Sequence, residues 1–127
     1  MTKKEFISKI DVFVDDNGIE CVSMPVLIGK FGTDINLDDL YRMNWKYQDE
    51  TGSDASFITL FDARLVVMLS EMGENLKDYE YSEIVECSKC GDILLPDDEA
   101  YTDVITSNVL CDTHSMFSEK LNGYIGI

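Results

Sequence analysis

The chain has 127 residues, enough for one compact domain or for a modest core with a small appended module. Twenty-five acidic residues against ten basic ones give a formal net charge of −15. Such a surface repels phosphate backbones, because nucleic-acid affinity comes mainly from lysine and arginine displacing counterions, so direct DNA or RNA binding is not expected.

Although acidic, the sequence is 45% hydrophobic, and its apolar segments are patterned, which argues against disorder. No apolar run approaches the roughly 20 residues that span a bilayer, and Met1–Ile10 lacks the apolar core of a secretory signal. A soluble, cytoplasmic protein is the expectation. Thr2 to Ile7 fits either a short helix or the lead-in to a strand. Ile10-Asp11-Val12-Phe13-Val14, the turn Asp15-Asp16-Asn17-Gly18 and the returning Ile19 to Ser23 predict a β-hairpin over residues 10–24. Pro25 has no donor for a ladder, which makes Val26-Leu27-Ile28 an edge or separate strand, ended by Gly29 and Gly32. Asn36 is a candidate N-cap for a helix from Leu37 to about Tyr47, with Asp38 and Asp39 in its first turn. Gln48 to Ser53 reads as a loop. From Ser56 to Met72, Ile58, Phe61, Leu65, Met68, Leu69 and Met72 follow the helical period, and Gly73 stands where a left-handed terminator belongs. That stripe reads as packing and marks the centre of the core. Lys77 to Glu86 reads as a strand. The fold class is therefore α+β, with an N-terminal domain over residues 1–76 and a second module over residues 77–127.

The second module carries the strongest motif. In Cys87-Ser88-Lys89-Cys90-Gly91 two thiolates two residues apart bite one ion, and the glycine permits the tight turn that follows. Cys111-Asp112-Thr113-His114 supplies a Cys-x-x-His pair. This spacing on both sides predicts one zinc ion held by Cys87, Cys90, Cys111 and His114, with a disulfide or redox pair as the weaker alternative. Cys21 is left over and reads as a small buried apolar residue. Between the pairs, Asp92 to Leu95 and Ala100 to Ile105 read as two strands joined by Pro96-Asp97-Asp98-Glu99. Thr106 to Asn108 bends the chain into Val109-Leu110. After Cys111, Asp112 or Thr113 can cap a helix with Met116, Phe117 and Leu121 on one face.

A knuckle, a hairpin and a helix whose first turn gives the last two ligands: over residues 85–122 the sequence resembles a treble-clef zinc finger. The resemblance implies a closed, structural zinc site and fixes no activity. Four protein ligands leave no position for water or substrate, so catalytic zinc is not expected. If His114 is a ligand, no histidine remains as a general base, and residues 91–110 lack the histidine that treble-clef nucleases place in the hairpin. The paired motifs of zinc deaminases are also missing, and a RING-type ubiquitin ligase needs eight ligands rather than four. Asp15-Asp16-Asn17-Gly18 resembles a calcium loop only superficially, since the downstream glutamate of an EF-hand is missing. The pairs Asp38-Asp39 and Asp97-Asp98 read as solvated surface. No phosphate-binding loop, nucleophile elbow or kinase signature occurs.

The expected function is therefore non-enzymatic. One reading makes the acidity the working surface: carboxylates occupy the basic nucleic-acid channel of a partner protein, and aromatics among them anchor the contact. Tyr79, Glu80, Tyr81, Glu83, Asp97, Asp98 and Glu99 are the candidate partner-binding residues. In size and acidity the chain resembles phage-encoded host-takeover factors, including anti-CRISPR proteins, which implies an inhibitor or regulator. The alternative is a zinc-stapled adaptor that binds through an apolar patch such as Tyr124-Ile125-Gly126-Ile127, with the acidity serving solubility. Metal-assisted enzymology is the least favoured reading.

Overall fold

The computed structural model describes residues 3–127 of the chain, which divide into two units, Lys3–Asp78 and Tyr79–Ile127. The fold is α+β, with four helices and small antiparallel sheets among the described residues. None of these helices is long and apolar enough to cross a membrane.

The N-terminal segment is helical where described: α1 (Lys3–Lys9) buries Phe6, whose ring stacks on Phe31 at 6.0 Å. Thr2 lies outside the described residues. The expected hairpin forms with shorter strands, β1 (Phe13–Val14) and β2 (Glu20–Ser23), in the register Phe13↔Cys21 and Val14↔Glu20. Its turn is built on Asp15. One carboxylate oxygen accepts the amides of Asn17 and Ile19, both at 2.9 Å, and the other accepts the Tyr47 hydroxyl at 2.6 Å. The Tyr47 hydrogen bond, then the two amides, hold the Asp15 carboxyl below its ordinary range. Cys21 is fully buried, as expected of the unpaired cysteine.

Three expectations for this unit are overturned. Val26-Leu27-Ile28 is not a strand but part of helix α2 (Met24–Phe31). Pro25 sits in the first turn, where its missing N–H is one the helix leaves unbonded anyway and its fixed φ suits the helix. Gly32, at φ 60°, ends the helix and returns its N–H to Ile28. Helix α3 (Leu37–Thr51) does start from an Asn36 cap that accepts the Asp39 amide, yet it runs past Tyr47. Gln48 to Thr51 contain no breaker, so the loop begins only at Gly52, which is left-handed at φ 71°. The long helix expected from Ser56 begins instead at Leu60. Phe57–Thr59 is strand β3, paired with β2 through Val22↔Ile58, and completes a sheet of order β1-β2-β3. Thr59 then caps α4 (Leu60–Met72) by accepting the Asp62 amide, and Gly73 ends it, as its position predicts. Ile58 therefore belongs to the core through the sheet, where its β-branched side chain suits the pleat.

The core of Lys3–Asp78 gathers Leu27, Leu40, Val22, Ile58, Ala63, Leu65, Val66 and Leu69, all fully buried. Helix α4 is buried nearly all round, and even its Asp62 is 1% exposed, bonded by Lys46 at 3.2 Å. Buried Asn44 donates to Ala55 and Phe57. A fourth expectation also fails: Asp39, read as solvated surface, is buried and accepts the Leu76 amide.

Leu65→Ala is expected to cost about 2–5 kcal/mol, read as a lower urea midpoint by far-UV circular dichroism. Because the folded Asp15 carboxyl titrates below its unfolded value, its contribution is fully present above about pH 4 and is lost as the pH falls through the lowered folded value. Asp15→Asn should therefore lower the melting temperature at pH 7 and flatten its fall between pH 5 and pH 2.

Candidate metal centre

Tyr79–Ile127 reaches the first ligand pair through two 3-10 turns of the chain, Leu76–Asp78 at the end of the preceding unit and Tyr81–Glu83, rather than the strand expected over residues 77–86. Local acceptors favour turns here: the Asp78 carboxylate accepts the Asn75 amide, and Glu80 O accepts the Glu83 amide. Only Val85–Glu86 (β4) is extended, paired with Ile93–Leu94 (β5). The knuckle closes between these strands. Gly91 N–H bonds Cys87 O at 2.8 Å, Cys87 N–H bonds Asp92 O at 2.9 Å, and Gly91 takes φ 77°, a conformation that favours glycine.

The second pair arrives on β7 (Val109–Cys111), which pairs with β6 (Ala100–Thr102). The sequence pattern predicts a hairpin between residues 92–95 and 100–105. Instead β5 returns to β4 and β6 pairs forward. The Leu95 amide is taken by the Asp98 carboxylate at 2.9 Å, and Pro96 has no amide to offer, so no ladder extends from β5 toward β6. Ser88 joins the two halves: its amide and its hydroxyl both donate to Val109 O at 2.9 Å, which seats the knuckle against the strand that delivers Cys111.

After Cys111 the expected helix does not form. Asp112–His114 is a single 3-10 turn, followed by β8 (Ser115–Ser118) and β9 (Gly123–Gly126) in an antiparallel hairpin. Met116 and Phe117 therefore point to opposite faces of a strand, and Leu121 lies in the turn. Phe117 packs edge-on against Tyr124, and the ring of Tyr124 lies 4.3 Å from that of Tyr101, contacts that the extended chain makes possible. The module thus departs from the treble-clef pattern in both its hairpin and its final helix.

What survives is the ligand set. Sγ of Cys87, Cys90 and Cys111 and a ring nitrogen of His114 all lie within 4.8 Å of one another. Cys90 Sγ and Cys111 Sγ are 3.8 Å apart, and Cys111 Sγ is 3.1 Å from His114 Nδ1. A tetrahedral ion with metal–sulfur bonds of about 2.3 Å has sulfur–sulfur edges of about 3.8 Å and sulfur–nitrogen edges of about 3.6 Å. The first distance meets that value, and the second is somewhat shorter. The cysteines are free rather than disulfide-bonded. Cys87 and Cys111 are buried with Leu94, packed against Val85 and Val109, so the sulfurs are also part of the small core of their unit. The residues can hold a metal ion.

Cys87 and Cys90 do not ionise together of their own accord. Burial pushes the Cys87 thiol up, but the amides of Cys90, Cys111 and Lys89 outweigh it and bring Cys87 to about 7. Burial, then the neighbouring sulfurs of Cys87 and Cys111, push Cys90 up to about 12. Ionising both would set two negative charges side by side, a conflict that a bound dication removes.

Asp103 belongs to neither ligand pair and to none of the motifs, yet it fixes the far end of the unit. It is 6% exposed, and its two oxygens accept the amides of Ile105 and Thr106 on one side and of Gly126 on the other. It thereby ties the loop after β6 to β9. The run Asp103 to Asn108, rich in Thr, Ser and Asn, carries the turn signal that marks such a residue. A methyl group on Gly123 would run into the short side chain of Val104, so close approach requires the glycine there.

Of the candidate partner-binding residues, Glu80, Glu83, Asp97, Asp98 and Glu99 are exposed, while Tyr79 and Tyr81 are half-buried. Asp98 is engaged by Leu95, and Glu99 accepts the Tyr101 hydroxyl at 2.9 Å, which pushes Tyr101 up to about 12. Tyr124 to Gly126, expected as part of a free apolar patch, lie in β9 and are half-buried, and Ile127 N–H bonds His114 O. No protein-family model, curated protein or solved structure matches the chain.

Structural zinc contributes on the order of 10 kcal/mol to small modules, more than a unit of this size holds without it. Chelation, or Cys90→Ser, should therefore abolish amide-exchange protection in β4 to β9 while α4 around Leu65 stays protected. Retained protection in the chelated protein would refute the staple.

Proposed function

We propose that the chain is a small, zinc-stapled, acidic protein-binding regulator or inhibitor that occupies the basic nucleic-acid-binding surface of a partner, with no catalysis of its own. The observation that carries this reading is the charge of Tyr79–Ile127, where ten acidic residues stand against Lys89 and Lys120. Glu80, Glu83, Asp92, Asp97, Asp98, Glu99, Asp112 and Glu119 are exposed, and among the described residues neither lysine forms an ion pair with them.

Zinc suits the donor set of three sulfurs and one imidazole nitrogen better than calcium or magnesium, which take oxygen ligands. Three thiolates around a dication leave the centre with a net charge of −1, so the metal adds no positive counterweight to the surface. Four protein ligands close a tetrahedral site, which supports a structural role. The treble-clef likeness extends to the Cys-x-x-Cys-Gly knuckle alone. The likeness in size and acidity to phage-encoded host-takeover and anti-CRISPR proteins belongs to the same proposal. The adaptor reading is less favoured, because most of the residues it relies on are paired in β9.

Displacement of a labelled DNA duplex from a panel of nucleic-acid-binding proteins, followed by fluorescence anisotropy, tests the proposal. One member should be released stoichiometrically, with affinity for the chain falling at least about tenfold between roughly 50 and 200 mM salt, as expected of several charge contacts. Neutralising Glu80, Glu83, Asp97 and Glu99 to their amides should weaken it further. Displacement from no member, or binding indifferent to salt, would contradict it.

A further inference from the structure

We infer that the outer face of α3 is an anchoring surface for a basic protein partner, whose cationic side chains stack on Tyr41 and Trp45. The inference rests on the proposed acidic-mimic function and assigns it a surface outside the zinc module. Helix α3 buries Leu40, Met43, Asn44 and Tyr47 against its own unit. Its other face presents Leu37, Tyr41 and Trp45 at successive four-residue steps, so they form one stripe. Trp45 is 61% exposed and Tyr41 46%. Tryptophan and tyrosine dominate binding hot spots, and here Tyr41 and Trp45 share a shallow recess of about 490 Å³ with Asp38 and Arg42.

No described residue engages the side chains of Tyr41, Arg42 or Trp45 in a hydrogen bond, ion pair or ring contact. The aromatic faces are thus available to a ligand. Charge decides its chemistry. Lys3–Asp78 carries fifteen acidic and eight basic residues, and along this helix Lys46 is committed to Glu50 and buried Asp62. Asp38 borders the recess, Asp49 follows Trp45 by one turn, and among the described residues Arg42 is the one basic residue lining it. An arginine or lysine of the partner can stack on the indole and meet a carboxylate at the rim. A second copy of the chain is disfavoured by its own charge of −15 and by the small apolar area of three side chains.

Trp45 is the only tryptophan, so its emission reports directly on this face. The probe is a deca-arginine peptide, titrated into the full chain with zinc and followed by fluorescence and by calorimetry. Saturable quenching is expected. Trp45→Ala should raise the calorimetric dissociation constant about tenfold while leaving the circular dichroism unchanged. Arg42→Ala should tighten binding by removing a like charge. Equal affinity of the wild type and Trp45→Ala would overturn the α3 anchor and leave the acidic-surface reading standing. No salt-sensitive binding of the peptide at all would overturn both. Weaker binding by Arg42→Ala would contradict the electrostatic basis of the anchor, which also overturns the inference.

Discussion

Three sulfurs and an imidazole nitrogen within 4.8 Å of one another form an arrangement that a cation stabilises and that repels itself once ionised. Much of Tyr79–Ile127 is organised by that convergence. The Gly91 turn aims one pair, Ser88 binds the knuckle to β7, and the buried sulfurs of Cys87 and Cys111 pack with Leu94 to extend a small core. Strands of two to four residues have little independent stability, so an ion bound there would take the part that a larger apolar core plays in Lys3–Asp78.

What is legible in the sequence follows from how local each signal is. The four ligands fall into two pairs of fixed spacing. The Asn36 cap, the Gly73 terminator and the turn at Asp15 to Gly18 are each decided by residues within a few positions of one another. Pattern and structure part where a distant partner, or a position within a turn, decides the outcome. Pro25 would interrupt a strand, but it stands at a helix start, where it is welcome. Ile58 satisfies the helical period, yet the free edge of β2 takes Phe57 to Thr59 as a strand. Met116 and Phe117 fit a helix face, but Tyr124, seven positions beyond Phe117, supplies a strand to pair with. Asp103 falls within the strand read over residues 100–105, and its role as the clamp on Gly126 is invisible because that contact spans 23 residues.

The two units divide stability from surface differently. Lys3–Asp78 hides charges within its core, with Asp62 held by Lys46 and Asp39 by the Leu76 amide, and exposes an aromatic stripe on α3. Tyr79–Ile127 has a smaller interior, and its side chains supply a cluster able to hold a metal ion and exposed carboxylates. Acidity without aromatic anchors attracts basic proteins with little discrimination, whereas aromatic anchors set among carboxylates favour one.

A cobalt(II) titration of the metal-free chain tests the central claim most directly, since cobalt reports coordination number and sulfur ligation through its absorption. The account predicts saturation at one equivalent, with sulfur-to-cobalt charge transfer and the strong visible bands of a tetrahedral centre, all removed when zinc is added. Weak bands of a six-coordinate oxygen site, or no saturable uptake, would contradict it.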